Sequence, residues 1–240
     1  MRRDHKPYYI KKLQLGFRDW YVRHFLESQF TSLGKGYTFL SPWHVKVFGE
    51  PIEVGDHVNV ISTPDKKVRL TVWSEKQGKG SIRIGRHCLI CPGVRISAAM
   101  GITIGDDCMM ASDVYITDAD WHGIYDRLDY IGRNEPVTVG NNVWLGDGAI
   151  VCKGVTIGDN SIIGARAVVT RDIPANSIAA GNPATVIAGL DSSRPLRTRG
   201  DWFADPEDLA LHIEEIDRDM LRGNTILGWL RALLFPTRKD

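Results

Sequence analysis

The sequence predicts a mainly β fold, a triangular prism of short stacked coils, with helical extensions at both ends. Three observations predict it. Across residues 139–174 an aliphatic residue returns at every sixth position: Val139, Leu145, Val151, Ile157, Ile163 and Val169. Glycine follows it at Gly140, Gly146, Gly158 and Gly164. A small or β-branched residue stands two places before each later aliphatic, at Val143, Ala149, Val155, Ser161 and Ala167. A period of six fits neither the 3.6 of a helix nor a simple alternating strand. It is the mark of a stacked solenoid, and hexapeptide repeats specify a parallel β-helix.

Six residues make one strand and a corner, so three such units close a coil, and the aliphatic side chains stack in columns inside it. Asn141-Asn142 and Asp159-Asn160 are residue types that tolerate a tight corner. Composition agrees with one domain plus appendages. The chain has 240 residues, 43% hydrophobic, with a net charge of +1. Near-neutral charge argues against a nucleic-acid partner held through phosphates. No apolar run reaches the roughly 18 residues of a membrane span. The amino terminus, MRRDHKPYYIKK, lacks the apolar core of a secretory signal. The default location is cytoplasmic, with peripheral contact at the inner face of a membrane as the alternative.

In chain order, residues 1–45 form an N-terminal helical segment. Ile10, Leu13, Phe17 and Trp20/Tyr21 fall at helical spacing among Arg and Lys, which reads as a helix packed on the body of the protein or resting on a membrane surface. The repeat domain covers residues 46–190. Its first hexads carry Val54-Gly55 and Val60; Pro64-Asp65 and Gln77-Gly78-Lys79-Gly80 then read as turns flanking a strand from Val68 to Trp73. Strict stepping resumes at Ile84-Gly85, Ile90 and Ile96. Two extra residues around Ala98–Met100 shift the phase, which returns at Ile104-Gly105, Met110 and Ile116. The CxxC formed by Cys88 and Cys91 resembles half of a zinc site. However, Cys88 and Cys108 occupy the small inward slot of the hexad, where a thiol packs as a small hydrophobe. Cys91 and Cys152 then face outward. No second CxxC or His pair completes a metal set, so no metal is expected.

The register slips between Ile116 and Val139, and the excursion, residues 117–138, reads TDADWHGIYDRLDYIGRNEPVT. Breaking a stack gains no burial, so a long excursion from a solenoid points to function. At roughly 3.3 Å per extended residue, it could reach a neighbouring subunit. Of the seven histidines, His122 stands out because it heads the excursion, with Asp118 and Asp120 shortly before it.

The stretches TDADWHG, EPVTVGNNVWLGDGAIV and GVTIGDNSIIGARAVVTRDIPANSIAAGNPA resemble the hexapeptide-repeat acyltransferases, in particular the maltose, galactoside and nodulation-factor O-acetyltransferases. The resemblance implies a left-handed parallel β-helix. It also implies acyl transfer from acetyl-CoA to a hydroxyl, usually of a sugar, in a cleft between adjacent subunits of a homotrimer. The family's catalytic histidine falls on His122. An alcohol is a weak nucleophile at neutral pH, so an imidazole must take its proton as it attacks the thioester. Asp120 or Asp118 would set the tautomer of that ring, bind the acceptor or shape the turn. The family's donor-site positions fall on Trp144, Gly146, Asp147, Ala165, Thr170 and Arg171. Gly146 and Ala165 are equally what coil corners prefer. The usual GAGS is Gly164-Ala165-Arg166-Ala167 here and the basic residue common after GNPA is Thr185, so Arg166 is expected to substitute at the phosphates.

Residues 191–240 form the C-terminal helical extension. Asp205 is the expected N-cap, Pro206 suits the first turn, and Leu209, Ile213, Ile216 and Met220 form a stripe. Ile226, Leu227, Trp229, Leu230, Leu233, Leu234 and Phe235 then concentrate in a segment too short to span a membrane. It reads either as a cover for the last coil or as a membrane-surface helix; a membrane would present a lipid-linked glycan acceptor. Three functions stay in view: an O-acetyltransferase acting on a saccharide or glycolipid, an N-acyl or longer-chain acyltransferase, and a non-catalytic scaffold. A metal-dependent lyase of the γ-type carbonic anhydrase kind needs a close set of three histidines, which His57, His87 and His122 do not show.

Overall fold

The computed structural model describes residues 4–73 and 80–237. Gln77–Lys79 of the expected turn lie outside the described residues. The chain divides into two compact units, Tyr21–Asp201, and Met1–Trp20 together with Trp202–Asp240.

The larger unit is a prism with three sheets as faces. The first face stacks Ser32–Leu33, Ile52–Val54, Ile82–Ile84, Ile102–Ile104, Val137–Val139 and Thr156–Ile157. The second stacks Thr38–Leu40, Asn59–Ile61, Leu89–Ile90, Met109–Met110, Trp144–Leu145, Ile162–Ile163 and Ser177–Gly181. The third stacks Val45–Phe48, Val68–Val72, Arg95–Ala98, Tyr115–Thr117, Ile150–Val151 and Val168–Val169. Neighbours within each of these stacks run parallel.

Register explains the period of six. Val54, Ile84, Ile104, Val139 and Ile157 pair in one column. Val60, Ile90, Met110, Leu145, Ile163 and Ala179 pair in a second. Leu70, Ile96, Ile116, Val151 and Val169 pair in a third. All point inward, and none is more than 4% exposed. The small slots are filled as expected, with Cys88, Val143, Ala149, Ser161 and Ala167 all buried. The four cysteines are free, Cys91 and Cys152 being half-buried.

The corners between the first and second faces are tied by a side-chain ladder. Asp56, Asp106, Asn141 and Asp159 each accept a hydrogen bond from a backbone N–H one coil earlier, at 2.6–2.8 Å. The next residue along, at His57, Asp107, Asn142 and Asn160, takes positive φ, as does His87 in the corner after Arg86; Asn and Asp are the tolerant types there. His57 and His87 are therefore corner residues with stacked rings, centroids 5.7 Å apart.

Pairing begins at Ser32↔Glu53, earlier than the expected start near residue 46. The first coil escapes the six-residue pattern because aromatics fill it. Val22, Leu26, Phe30 and Phe39 are buried in the same core as the aliphatic columns. Val22 and Leu26 come from a π turn, Val22–Leu26, Phe30 from the C-cap of a 3-10 turn, Glu27–Gln29, and Phe39 from the strand Thr38–Leu40. At the other end Ala184–Gly189 folds back antiparallel on Ser177–Gly181 and closes the last coil. Residues 191–201 then bring Arg199 to the coil corners, where it donates to the His87 carbonyl (2.6 Å) and to Asn59 Oδ1 (2.5 Å).

The smaller unit holds most of helix α1 (Tyr8–Tyr21), the end of a short helix α2 (Arg199–Trp202), and all of α3 (Pro206–Met220) and α4 (Ile226–Leu234). Asp205 caps α3 through the Asp208 N–H and Thr225 caps α4 through the Gly228 N–H. Leu13, Phe17 and Trp20 of α1 are exposed, with Phe17 stacked on Trp20. Among the described residues no helix is long and apolar enough to cross a membrane.

Ile104→Ala removes a fully inward side chain, so urea unfolding should show a loss of about 2–5 kcal/mol. Thr103→Ala on the outer side of the same strand should change stability by less than about 0.5 kcal/mol.

Candidate active site

The excursion is an insertion into one corner. It leaves the third face after Thr117 and rejoins the first at Val137, and the stack continues beneath it through Ile102↔Val137. Its base is closed by Asp120 N–H donating to the Arg133 carbonyl (3.0 Å) and Glu135 N–H to the Asp118 carbonyl (2.9 Å). Trp121 has φ +63°, an uncommon conformation for a bulky residue. Its indole N–H is held back on Thr117 Oγ1 at 3.0 Å. The next side chain, His122, is exposed. A Cβ on Gly132 would collide with the His122 carbonyl, so glycine lets the two arms of the loop close there.

Asp118 is fully buried. Its carboxylate accepts from the N–H groups of Ala99 (2.7 Å), Met100 (2.8 Å) and Gly101 (2.6 Å). Three backbone donors satisfy a carboxylate that would be costly to bury alone. They also fix the two-residue extension at Ala98–Met100. Asp120 is paired with Lys153 Nζ at 2.6 Å. Neither carboxylate bonds to His122 among the described residues, because each already has its partners. The tautomer-setting role expected of them is not formed in the single chain.

Lys153, Trp121 and Thr117 were not singled out from sequence. The pairing Ile116↔Val151 puts Lys153 one coil beyond the loop base, and a hexad-by-hexad alignment would have found it. Cys152 beside it has its thiol pushed up by burial, opposed by the Lys153 charge, so it stays protonated at neutral pH.

The residues expected to hold the donor separate into groups. Trp144 lies on the second face, in register between Met109 and Ile162, and is 47% exposed. Gly146, Asp147, Ala165 and Arg166 sit in the corners between the second and third faces. Thr170 and Arg171 sit in the corner between the third and first, the edge from which the excursion leaves. Gly146 is buried, and a Cβ there would stand 2.7 Å from both the Ala165 nitrogen and the Ile163 oxygen. Coil stacking alone requires that glycine. Arg166 occupies a corner at φ +59° and donates its N–H to the Asp147 carbonyl at 2.7 Å. Its guanidinium is exposed on that edge.

Comparison with known proteins follows the same geometry. The profile of bacterial transferase hexapeptide (six repeats) matches residues 136–171, and that of the hexapeptide repeat of succinyl-transferase matches residues 81–118. Galactoside O-acetyltransferase of Escherichia coli (strain K12) is 41% identical over 147 residues, covering 59% of this chain and 72% of that protein. The chain belongs to the hexapeptide-repeat acyltransferases. A putative acetyltransferase of Schizosaccharomyces pombe (strain 972 / ATCC 24843) is 42% identical over 97 residues, 38% of this chain and 44% of its own. The solved maltose O-acetyltransferase from Clostridium difficile 630 is 32% identical, with a TM-score of 0.46, over 70% of this chain and 73% of that one. As a hexapeptide-repeat acyltransferase the protein has the left-handed parallel β-helix that the sequence led us to expect.

The two acidic residues of this acyltransferase should separate by stability. Asp118→Ala strands the N–H groups of Ala99, Met100 and Gly101, one bond buried and two partly so, and should cost about 3 kcal/mol in urea unfolding. Asp120→Ala, which removes a partly exposed ion pair, should cost no more than about 1 kcal/mol.

Proposed function

We propose that the protein transfers an acetyl group from acetyl-CoA to a hydroxyl of a saccharide, with His122 as general base, in a site completed by a neighbouring copy within a homotrimer. The observation that carries this reading is the division of the candidate residues between two edges of one prism. His122, Thr170 and Arg171 belong to one edge, and Gly146, Asp147, Ala165 and Arg166 to another. Two edges of one rigid column cannot line one cleft. An edge from each of two copies can, and a cyclic arrangement of three uses every edge pair once.

The chemistry assigns each group a task. The exposed imidazole of His122 accepts the proton of the acceptor hydroxyl as that oxygen attacks the thioester carbonyl. The carbon–sulfur bond then breaks and the thiol of CoA leaves, taking a proton. A backbone N–H would stabilise the oxyanion formed between these steps. Arg166 and Arg171 are exposed cations suited to the phosphates of CoA. The narrow backbone at Gly146 and Ala165 would admit a pantetheine arm. A saccharide acceptor is supported by the name of the relative from Escherichia coli, which acts on galactosides.

Release of CoA thiol over a panel of galactosides, maltose and free amines tests the reading. His122→Ala should lower kcat/KM by about 100-fold or more while acetyl-CoA binding, followed by calorimetry, is retained. Near-wild-type turnover would remove His122 from the mechanism, and turnover confined to amines would reassign the acceptor.

A further inference from the structure

The third face of the prism carries charge in a way that the first does not. On the first face the outward residues Glu53 and Arg83 stand in register and form an ion pair at 2.9 Å. On the third face an outward register column reads Lys46, Arg69 and Arg95. All three are exposed, and one coil separates each from the next, about 4.8 Å. Like charges opposite one another in a sheet are destabilising. Among the described residues no carboxylate pairs with them, and Arg95 lies over the Tyr115 ring at 4.2 Å. Of the acids at the ends of these strands, Asp113 is paired with Lys66 (2.5 Å). Asp65 is followed by Lys66 and Lys67, and Glu50 lies past Phe48 at the opposite corner. Residues 74–79, outside the described structure, add one Glu and two Lys. The face is basic on every count.

The adjoining column is Phe48, Thr71, Ser97 and Thr117. Thr71 Oγ1 donates to Ser97 Oγ at 3.1 Å. Thr117 is where the excursion leaves the face and where Trp121 is anchored. At the far end the Trp73 ring packs on Phe48, centroids 4.6 Å apart, yet Phe48 stays 54% exposed and Trp73 45%. Cations, hydroxyls and an exposed aromatic pair thus share one surface, and that surface runs to the root of the loop bearing His122.

We propose that this surface binds an anionic oligosaccharide. Its carboxylate or phosphate groups meet Lys46, Arg69 and Arg95, and one of its rings lies on the Phe48–Trp73 pair. A sugar ring offers hydroxyls at its rim and an apolar face to an aromatic, while a guanidinium takes a carboxylate or phosphate through two N–H groups. A neutral partner would leave the cations unmatched, and a small anion would leave the aromatics unused. From Phe48 to Thr117 is three coil steps, about 14 Å, longer than one sugar ring. The inference deepens the acetyl-transfer reading, and rests on it for calling this saccharide the acceptor.

Calorimetry with the full chain tests the site without turnover, using trigalacturonate, a phosphorylated maltotriose and maltotriose itself. At low salt at least one charged trimer should bind about tenfold tighter than maltotriose, a preference that salt erodes. Arg69→Gln/Arg95→Gln should remove that preference, and Trp73→Ala should weaken all three sugars while acetyl-CoA binding is retained. Lys46→Gln/Arg69→Gln leaves the Arg95–Tyr115 contact in place and gives the same reading if the first pair fails to fold. Equal affinity for charged and neutral trimers, or a preference untouched by the arginine pair, would overturn the proposal. So would equally tight binding of a polyglutamate of the same charge, or arginine variants that lose oligomer mass in sedimentation but keep the sugar preference. A wild type that prefers charged trimers yet releases no CoA thiol with them would strike the transfer reading and leave the binding site standing.

Discussion

The rest of the structure depends on coil-on-coil register. Each strand of two to six residues is too short to persist alone and survives because its neighbours in the stack share its hydrogen bonds. Register is held from inside by the aliphatic columns and from outside by the Asp and Asn ladder at one set of corners. A slip by one residue would turn a column such as Val54, Ile84, Ile104, Val139 and Ile157 out to water. Glycines at Gly85, Gly105 and Gly140 belong to the same constraint, because a Cβ at any of them would overlap the corner of the next coil.

A scaffold so constrained leaves function to the places where the repeat is broken. The excursion at 117–138 is the largest break in the described prism. Its base is stiff, held by the Asp118 carboxylate within the core and by the Trp121 side chain on Thr117. His122 is thereby presented from a hydrogen-bonded root, which suits the proton-transfer role proposed for it. The smaller break at Ala98–Met100 is part of the same device, since the three N–H groups that bind Asp118 come from it. Two interruptions that look independent in sequence are one structural unit.

This is also where the sequence stopped being legible. The prism, its inward residues and the packing of Cys88 and Cys108 in the small slots could be read because a six-residue period reports directly on burial. The first coil was not legible, because Phe30 and Phe39 fill it by shape and leave no period. Asp118 and Asp120 stand shortly before His122 in sequence, but their bonding could not be read there. Asp118 is consumed by backbone amides and Asp120 by Lys153, partners from neighbouring coils that adjacency in sequence does not reveal. In the C-terminal extension the Asp205 cap and the helix were legible from local chemistry. Which way the apolar stripe faced was not, because periodicity gives a face without saying what lies opposite it.

The account turns on one chain presenting its histidine edge and its donor edge to different neighbours. The most direct measurement is complementation between two inactive variants, His122→Ala and Ala165→Trp, refolded together at equal ratio. If the site is shared between copies, mixed oligomers should regain activity at roughly one quarter of their interfaces, where an intact edge from each chain meets. Activity no higher than the sum of the two separate variants would contradict it, and would return the whole site to a single chain.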